Sequence, residues 1–186
     1  LDKFSAPIDK DKLLSTDPTK AIAYIAIEDP KKPWPIVKKK KASAGPFYLI
    51  WKNAEASKIG TEEWPFQLES FTVKGSLKDT YPLIHPNENA SADAKKGFPI
   101  FAKNCFACHK MNGQGLGDMG PDLNRPMNPT EYFQKNAFVK LVRDPRTVRE
   151  WPGLQMNVHF SEKEISNTEM EQLWAYFVQM AKQKTP

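Results

Sequence analysis

The hydrophobic positions near the end of the chain repeat at the spacing of a helix. Residues three and four apart share one face of a helix, so an apolar stripe at this spacing predicts a helix with one buried side. The stripe consists of Met170, Leu173, Trp174, Phe177, Met180 and Ala181. Just before it, residues 166–169 have the Ser-x-x-Glu order of a capping box. This order predicts that the last helix begins there.

A second helix is predicted immediately ahead of the two cysteines. Its apolar positions are Ala94, Phe98, Phe101 and Ala102. Ser91 is suited to cap the first turn, so the predicted helix covers residues 91–105. Pro99 lies inside this range and lacks a main-chain donor, so we expect it to kink the helix or to displace its start.

The first part of the chain has a different pattern. Residues 21–27, 45–51 and 64–74 are rich in aromatic and β-branched side chains and are bounded by turn-forming residues, which predicts three strands. Between the first two, the proline-rich residues 30–35 and the lysines at 38–41 indicate an exposed loop. The lysine run is either a solvated loop or a docking patch for an acidic partner, and the sequence leaves both open.

Composition changes near residue 90. Up to that point the chain has 14 of its 27 basic residues, all lysine, and 9 of its 16 prolines, whereas both cysteines and all four arginines follow. Residues 81–89 are rich in turn formers and are interpreted as a connector. We therefore predict a β-rich or irregular accessory module at 1–90 and a mostly α-helical domain at 91–186.

Charge and hydropathy exclude several classes of protein. The net charge of +5 favours an acidic partner surface, but no recognition motif for DNA or RNA accompanies it. The mean hydropathy is −0.60 and no apolar run reaches the ~20 residues that span a bilayer, so we expect no stable membrane insertion. Charged residues within positions 1–10 argue against a signal peptide at this end.

The candidate chemistry lies in residues 105–109, which read CFACH. In the c-type haem attachment pattern, two thiols form thioethers to the porphyrin and the adjacent imidazole binds iron. On one helical turn Cys105, Cys108 and His109 face the same side and can hold one macrocycle. A redox-active cysteine pair would need a βαβ context, and a zinc site would need four ligands, but only His85 and His159 remain elsewhere. The pattern therefore predicts one covalent haem c.

At this point the chain resembles the mono-haem class I c-type cytochromes, over about residues 92–182. Gly97, Phe101 and Cys105 are similar to the first helix of that family, in which the glycine permits close crossing by the last helix. Residues 173–177, LWAYF, are similar to the family's Leu-x-Ala-Tyr-Leu segment. The resemblance implies that Tyr176 packs against Gly97 and Phe101. Its fold would be a set of helices around one haem.

The glycine-rich residues 113–124 resemble the family's loop that ends in Gly-Pro-Asp-Leu. The resemblance implies that the carbonyl group of Pro121 accepts a hydrogen bond from the proximal His109, which fixes the tautomer and orientation of the ligand. An ordinary turn is the simpler interpretation of the same glycines and proline.

The sixth iron ligand is expected to be Met156. Met111 and Met119 lie too close to the attachment motif along the chain, and Met127 is only slightly better placed. Met170 and Met180 belong to the stripe of the last helix. The segment around Met156 resembles the family's ligand loop, although Asn157 stands where the family usually has proline. His159 remains the alternative and would give bis-histidine ligation. Methionine ligation stabilises reduced iron, which suits an electron carrier.

Basic residues precede this loop. Arg143, Arg146 and Arg149 with Trp151 are candidates to contact the haem propionates, and exposed helix arginines are the alternative. Asp144 and the proline after it have the order of a helix cap and a first helical residue. Tyr132 is a further candidate for a propionate contact.

Residues 21–71 bear a faint resemblance to a β segment of sulfite-oxidase-type molybdopterin proteins, through Ala23-Tyr24, residues 45–50 and Trp64. The cysteine that holds molybdenum in that family has no counterpart here, since both cysteines belong to the haem motif. We expect either a non-catalytic remnant or an extension that shields the haem domain.

The resemblance implies a periplasmic one-electron carrier whose leader has been removed, because haem attachment in this family occurs outside the cytoplasm. Its partners would be a redox protein donor and acceptor with acidic docking surfaces. Two alternatives remain. One is a haem subunit or small haem enzyme whose labile distal ligand admits peroxide or a diatomic gas. The other is an electron-transfer subunit dedicated to one partner through residues 1–90.

Overall fold

The computed structural model describes residues 4–37, 41–156 and 158–185. Its compact units divide between Val73 and Lys74, ahead of the boundary near residue 90 that composition indicated. One unit is Ala6–Val73, and the other holds the described residues from Lys74 onward together with residues 4 and 5. Within the described part of the chain, no helix combines the length and apolar character needed to span a bilayer.

The first unit is built on a two-stranded antiparallel sheet. Its regular elements are helix α1 (Lys10–Leu13) and strands β1 (Ile22–Ile27), β2 (Ile36–Val37), β3 (Ala42–Ser43) and β4 (Phe47–Lys52). Strand β1 pairs with β4, and Ile22 lies opposite Lys52. A second small pair joins β2 to β3, and short 3-10 helices follow β4 at Ala54–Ser57 and Thr61–Glu63.

The core of this unit is small. Ala21 and Leu49 are fully buried and Trp51 is nearly so, and the Trp51 indole donates to the carbonyl oxygen of Glu63 at 2.7 Å. The nearly buried Glu63 carboxylate pairs with Lys12 at 2.8 Å, which compensates for its loss of water. The unit therefore has its own interior, centred on the face of β4.

Two of the three predicted strands are confirmed, at residues 21–27 and 45–51. The strand predicted at 64–74 is wrong. The main-chain pairing of this segment with β4 is limited to a bridge between Tyr48 and Phe66 and two neighbouring hydrogen bonds. Pro65 has no amide hydrogen to donate, and Gln67 has a positive φ of 53°, which turns the chain away from an extended path. Of the lysine run, positions 38–40 lie outside the described residues.

The second unit is helical. The helices are α2 (Leu77–Thr80), α3 (Ala92–Asn104), α4 (Pro129–Tyr132), α5 (Lys135–Arg143) and α6 (Asn167–Ala181), with 3-10 helices at Pro82–Ile84 and Pro145–Thr147. The predicted starts of helices α3 and α6 are confirmed. Ser91 accepts from the Ala94 amide at 3.2 Å, and Ser166 forms a capping box with Glu169. Helix α3 runs through Pro99 without ending there.

Helices α3 and α6 cross closely at Gly97. A Cβ atom at this position would overlap the carbonyl oxygen of Gln172 and lie 2.7 Å from the Cβ of Tyr176. The rings of Tyr176 and Phe101 stack with centroids 5.1 Å apart. The packing that the resemblance implied for these residues is confirmed, and it depends on the absence of a side chain at Gly97.

The expected connector at 81–89 belongs to the helical unit instead. Ile84 is fully buried in its core, and its carbonyl oxygen accepts from the Tyr176 hydroxyl at 2.7 Å. Burial raises the pKa of Tyr176 well above its ordinary value, so the hydroxyl stays a donor. Turn-forming residues marked an irregular segment here, but not a separation between units.

Candidate functional site

Residues 105–109 form one turn that continues beyond α3. The amides of Cys108 and His109 both donate to the carbonyl oxygen of Cys105, at 3.1 and 2.9 Å. Between them Phe106 is fully buried and Ala107 is 2% exposed. Because these two residues point into the core, the turn presents both cysteines and the histidine at a partly exposed surface. The predicted grouping of Cys105, Cys108 and His109 on one turn is therefore observed.

The imidazole of His109 is held by the loop that follows. Its Nδ1 lies 2.8 Å from the carbonyl oxygen of Pro121, which can only accept, so Nδ1 carries the proton and Nε2 keeps a lone pair. Burial lowers the pKa of His109, and the hydrogen bond to Pro121 and the charge of Asp122 oppose this. A neutral imidazole with Nε2 unprotonated is the form that binds a metal. The geometry agrees with the role expected for Pro121.

Gly120 is a site residue that the sequence analysis did not single out. A Cβ atom on it would lie 2.5 Å from Nδ1 and 2.8 Å from Nε2 of His109, and its amide donates to the carbonyl oxygen of Cys108 at 2.9 Å. Gly117 is similar, because a Cβ there would overlap the carbonyl oxygen of Ala107. The loop can approach the turn this closely only through glycines. The high glycine content of residues 113–124 is the sequence feature that could have indicated this close approach.

The methionines occupy three kinds of environment. Met111, Met170 and Met180 are buried in the core of the helical unit, whereas Met119 and Met127 are 44% and 48% exposed. Met156 is partly buried. Core methionines are already packed against side chains, so this distribution supports the choice of Met156 without testing it. Asn157, next to it, lies outside the described residues.

The alternative ligand His159 lies at the surface. Its side chain is 52% exposed, and its Nδ1 is 3.4 Å from Oδ1 of Asp144. Asp144 also caps the 3-10 helix at Pro145–Thr147 by accepting from the amide of Arg146 at 3.0 Å. The predicted cap at Asp144 is confirmed, and His159 packs against that cap.

The predicted propionate ligands have unequal surroundings. Arg143 donates from Nη1 to the carbonyl oxygens of Phe160, Ser161 and Ile165, at 2.9, 3.0 and 2.6 Å. This guanidinium therefore anchors the segment that joins the Met156 loop to α6, a structural role that the sequence did not reveal.

The remaining candidates are on the surface. Arg146 is exposed, and Trp151 is 43% exposed with the guanidinium of Arg149 4.9 Å from its ring centroid. Tyr132 is 51% exposed and packs on Phe133. Propionate contacts for these residues and for Arg143 stay predictions.

The donor set fits haem better than a bare metal ion. Cys105 and Cys108 are not joined in a disulfide, and one imidazole nitrogen has an available lone pair. Among the described residues, no group of three or more His, Cys, Asp or Glu side chains could hold a metal ion. A macrocycle brings its own four nitrogens, so it needs only the two thiols and the axial ligands from the chain. A structural zinc ion would need four ligands from the protein, so the donors observed here favour haem over zinc.

Comparison with known proteins agrees with the geometry. Residues 94–181 match the family model described as Cytochrome c. This range begins in α3, contains the CFACH turn and the loop of Pro121, and ends with the last residue of α6. No curated protein and no solved structure matches the chain. The faint molybdopterin resemblance of residues 21–71 stays a prediction.

Proposed function

Since residues 94–181 form a cytochrome c domain, and such a domain implies a covalently bound c-type haem, we propose that the protein is a one-electron carrier with a single haem held by Cys105 and Cys108. The family supports a haem-based electron carrier in general terms. A single haem is proposed because the sequence contains only this pair of cysteines. The proposal also covers the axial ligands of the iron, the location of the protein and its redox partners.

The hydrogen bond from His109 Nδ1 to Pro121 carries this proposal. It fixes the ring orientation and leaves Nε2 for iron, beside the two thiols that would form the thioether links. When bound, haem supplies the ferrous–ferric couple. The chain then has to hold the axial ligands in place and limit the access of water, and no bond in the protein is made or broken during transfer.

Met156 is the sixth ligand in this proposal. A thioether stabilises reduced iron and raises the midpoint potential, and it leaves no open coordination position for a substrate. Two observations support it. Met111, Met170 and Met180 are packed in the core of the helical unit. The alternative ligand His159 lies at the surface and already contacts Asp144.

The proposed partners are a redox protein donor and acceptor whose docking surfaces are acidic. The net charge of +5 would increase the rate of encounter with such surfaces. We place the protein in the periplasm, because cytochrome c domains typically work outside the cytoplasm. The unit Ala6–Val73 is proposed to be a non-catalytic accessory to this domain.

Two spectra test the proposal. Purified full-length protein should show the ferrous pyridine haemochrome of a thioether-linked haem and one covalently added haem mass. The ferric protein should show a weak band near the red end of the visible spectrum that is lost in Met156→Ala and kept in the exposed-site control Met127→Ala. A protein without covalent haem would refute the carrier function. Persistence of the band in Met156→Ala would refute that ligand, and rapid carbon monoxide binding to the reduced native protein would favour the enzymatic alternative.

A further inference from the structure

Among the described residues of the helical unit, three asparagine side chains are buried. Asn124 and Asn128 are fully buried and Asn112 is 2% exposed. A buried amide is unfavourable unless it is hydrogen-bonded, so each of these side chains needs partners inside the protein. None of the three belongs to the attachment motif.

The three amides form one continuous chain of hydrogen bonds. Asn128 Nδ2 donates to Asn124 Oδ1 at 2.8 Å, and Asn124 Nδ2 donates to Asn112 Oδ1 at 2.7 Å. We name this set (Asn112, Asn124 and Asn128) the asparagine ladder. Replacing Asn124 therefore removes one hydrogen bond from each of its two neighbours, and replacing Asn128 removes the hydrogen bond that Asn124 Oδ1 accepts.

Each member of the ladder also donates to a main-chain carbonyl in the last turns of α6 or just after its end. The acceptors, in the order Asn128, Asn124 and Asn112, are the carbonyl oxygens of Phe177 at 3.1 Å, Met180 at 2.8 Å and Gln183 at 3.1 Å. A carbonyl oxygen has two lone pairs and can accept a second hydrogen bond, as Met180 does from the Gln183 amide at 2.9 Å. The ladder therefore ties the end of α6 to the loop that contains Asn124.

That loop is the one that holds the axial histidine. Pro121, whose carbonyl accepts from His109, is attached to the CFACH turn on one side, where the Gly120 amide donates to Cys108. On its other side, the Leu123 amide donates to the carbonyl oxygen of Lys110 at 2.8 Å, and Asn124 then ties the loop to α6. The Pro121 carbonyl thus lies between anchors on the turn and, three residues later, an anchor on the last helix.

We propose that Asn124 is a positioning residue for His109: it holds the loop so that the Pro121 carbonyl stays within hydrogen-bonding distance of Nδ1. This inference rests on the proposed function, because its effect is read at the haem. A strong hydrogen bond at Nδ1 makes the imidazole a better electron donor and stabilises ferric iron. Loosening the ladder weakens that bond, so the midpoint potential moves to more positive values.

Three variants of the full-length haem protein test the role. Asn124→Ala removes the central member. Asn128→Ser removes both amide donors but keeps an oxygen that can cap α4 at the Thr130 amide. The control is Gln183→Ala. The Gln183 side chain accepts from the Asn87 amide and donates to the carbonyl oxygen of His85, so it holds the same end of the chain through a segment other than the Pro121 loop.

Two measurements report on the histidine rather than on folding: the midpoint potential from a mediated redox titration, and the solvent exchange rate of the His109 Nδ1 proton by NMR in the ferrous protein. Asn124→Ala should shift the potential upward and accelerate exchange several-fold. Asn128→Ser should change both in the same direction and by less, and Gln183→Ala should change neither.

The proposal is overturned if the asparagine variants keep the potential and exchange rate of Gln183→Ala. If Asn124→Ala fails to fold, Asn128→Ser alone decides. Failure of the proposed function is recognised separately, since it would be seen as the absence of covalent haem from the unchanged protein, and the positioning role would then fall with it.

Discussion

Replacing Gly97 by alanine tests whether close helix crossing organises the helical unit. The added methyl group would overlap the carbonyl oxygen of Gln172 and press on Tyr176. A main-chain carbonyl cannot rotate away as the end of a side chain can, so α3 and α6 would have to separate. Such a separation also loosens the stacked contact between Tyr176 and Phe101, which is part of the core.

The magnitude follows from two opposing effects. Overpacking costs about 1 to 3 kcal/mol, and contact with the main chain places this site near 3 kcal/mol. Alanine is favoured over glycine inside a helix by about 1 kcal/mol. The free energy of unfolding should therefore fall by about 2 kcal/mol, which corresponds to a decrease of roughly 8 °C in Tm for a unit of this size.

Thermal and denaturant unfolding of the haem-loaded protein, followed by circular dichroism, measure this change. Gly75→Ala is the control, because a Cβ at Gly75 meets its nearest atom at 3.7 Å, an ordinary contact. That variant should stay within about 0.5 kcal/mol of the parent protein. If Gly97→Ala is as stable as Gly75→Ala, the crossing does not depend on the missing side chain and the reasoning is refuted.

Two further predictions concern histidines. Gly120→Ala should displace the His109 ring and lower the yield of covalent haem severalfold in a haemochrome assay, whereas Gly153→Ala, whose Cβ meets only Trp151 at 3.6 Å, should load normally; equal loading would contradict the close contact. Burial lowers the pKa of His85 from its ordinary value of 6.5, so the unfolded chain binds its proton more readily. The stability linked to neutral His85 should be present above about pH 6.5 and be lost as the pH falls through the pKa of the folded state. The free energy of unfolding, measured with denaturant between about pH 7.5 and pH 5, should therefore decrease less in His85→Gln than in the parent protein. An identical decrease would exclude His85 as the cause.

The parts of the fold that sequence predicted well are those specified by neighbouring residues. The caps at Ser91 and Ser166 are local, because the serine oxygen reaches an amide three residues ahead. The turn that groups Cys105 with His109 is closed by hydrogen bonds within five residues. In such features, residues that are close in the sequence are also the residues that contact each other in the structure.

Predictions failed where a distant segment decides the outcome. Residues 64–74 have the composition of a strand, but the turn at Gln67 leaves only a bridge to β4. Residues 81–89 have the composition of a linker, but Ile84 is buried under α6. Composition describes what a segment favours alone, and packing against another element overrides it.

For this protein, the sequence by itself determined the attachment motif and the capped starts of α3 and α6, since each depends on residues a few positions apart, and the family resemblance indicated the glycine at the crossing of these two helices. Only the tertiary structure decided that Gly120 lies against the imidazole, that Arg143 holds the segment before α6, and that the buried Asn124 joins the proximal loop to the last helix. These contacts join residues far apart in the chain, and their cost or benefit arises from burial, which no local pattern contains.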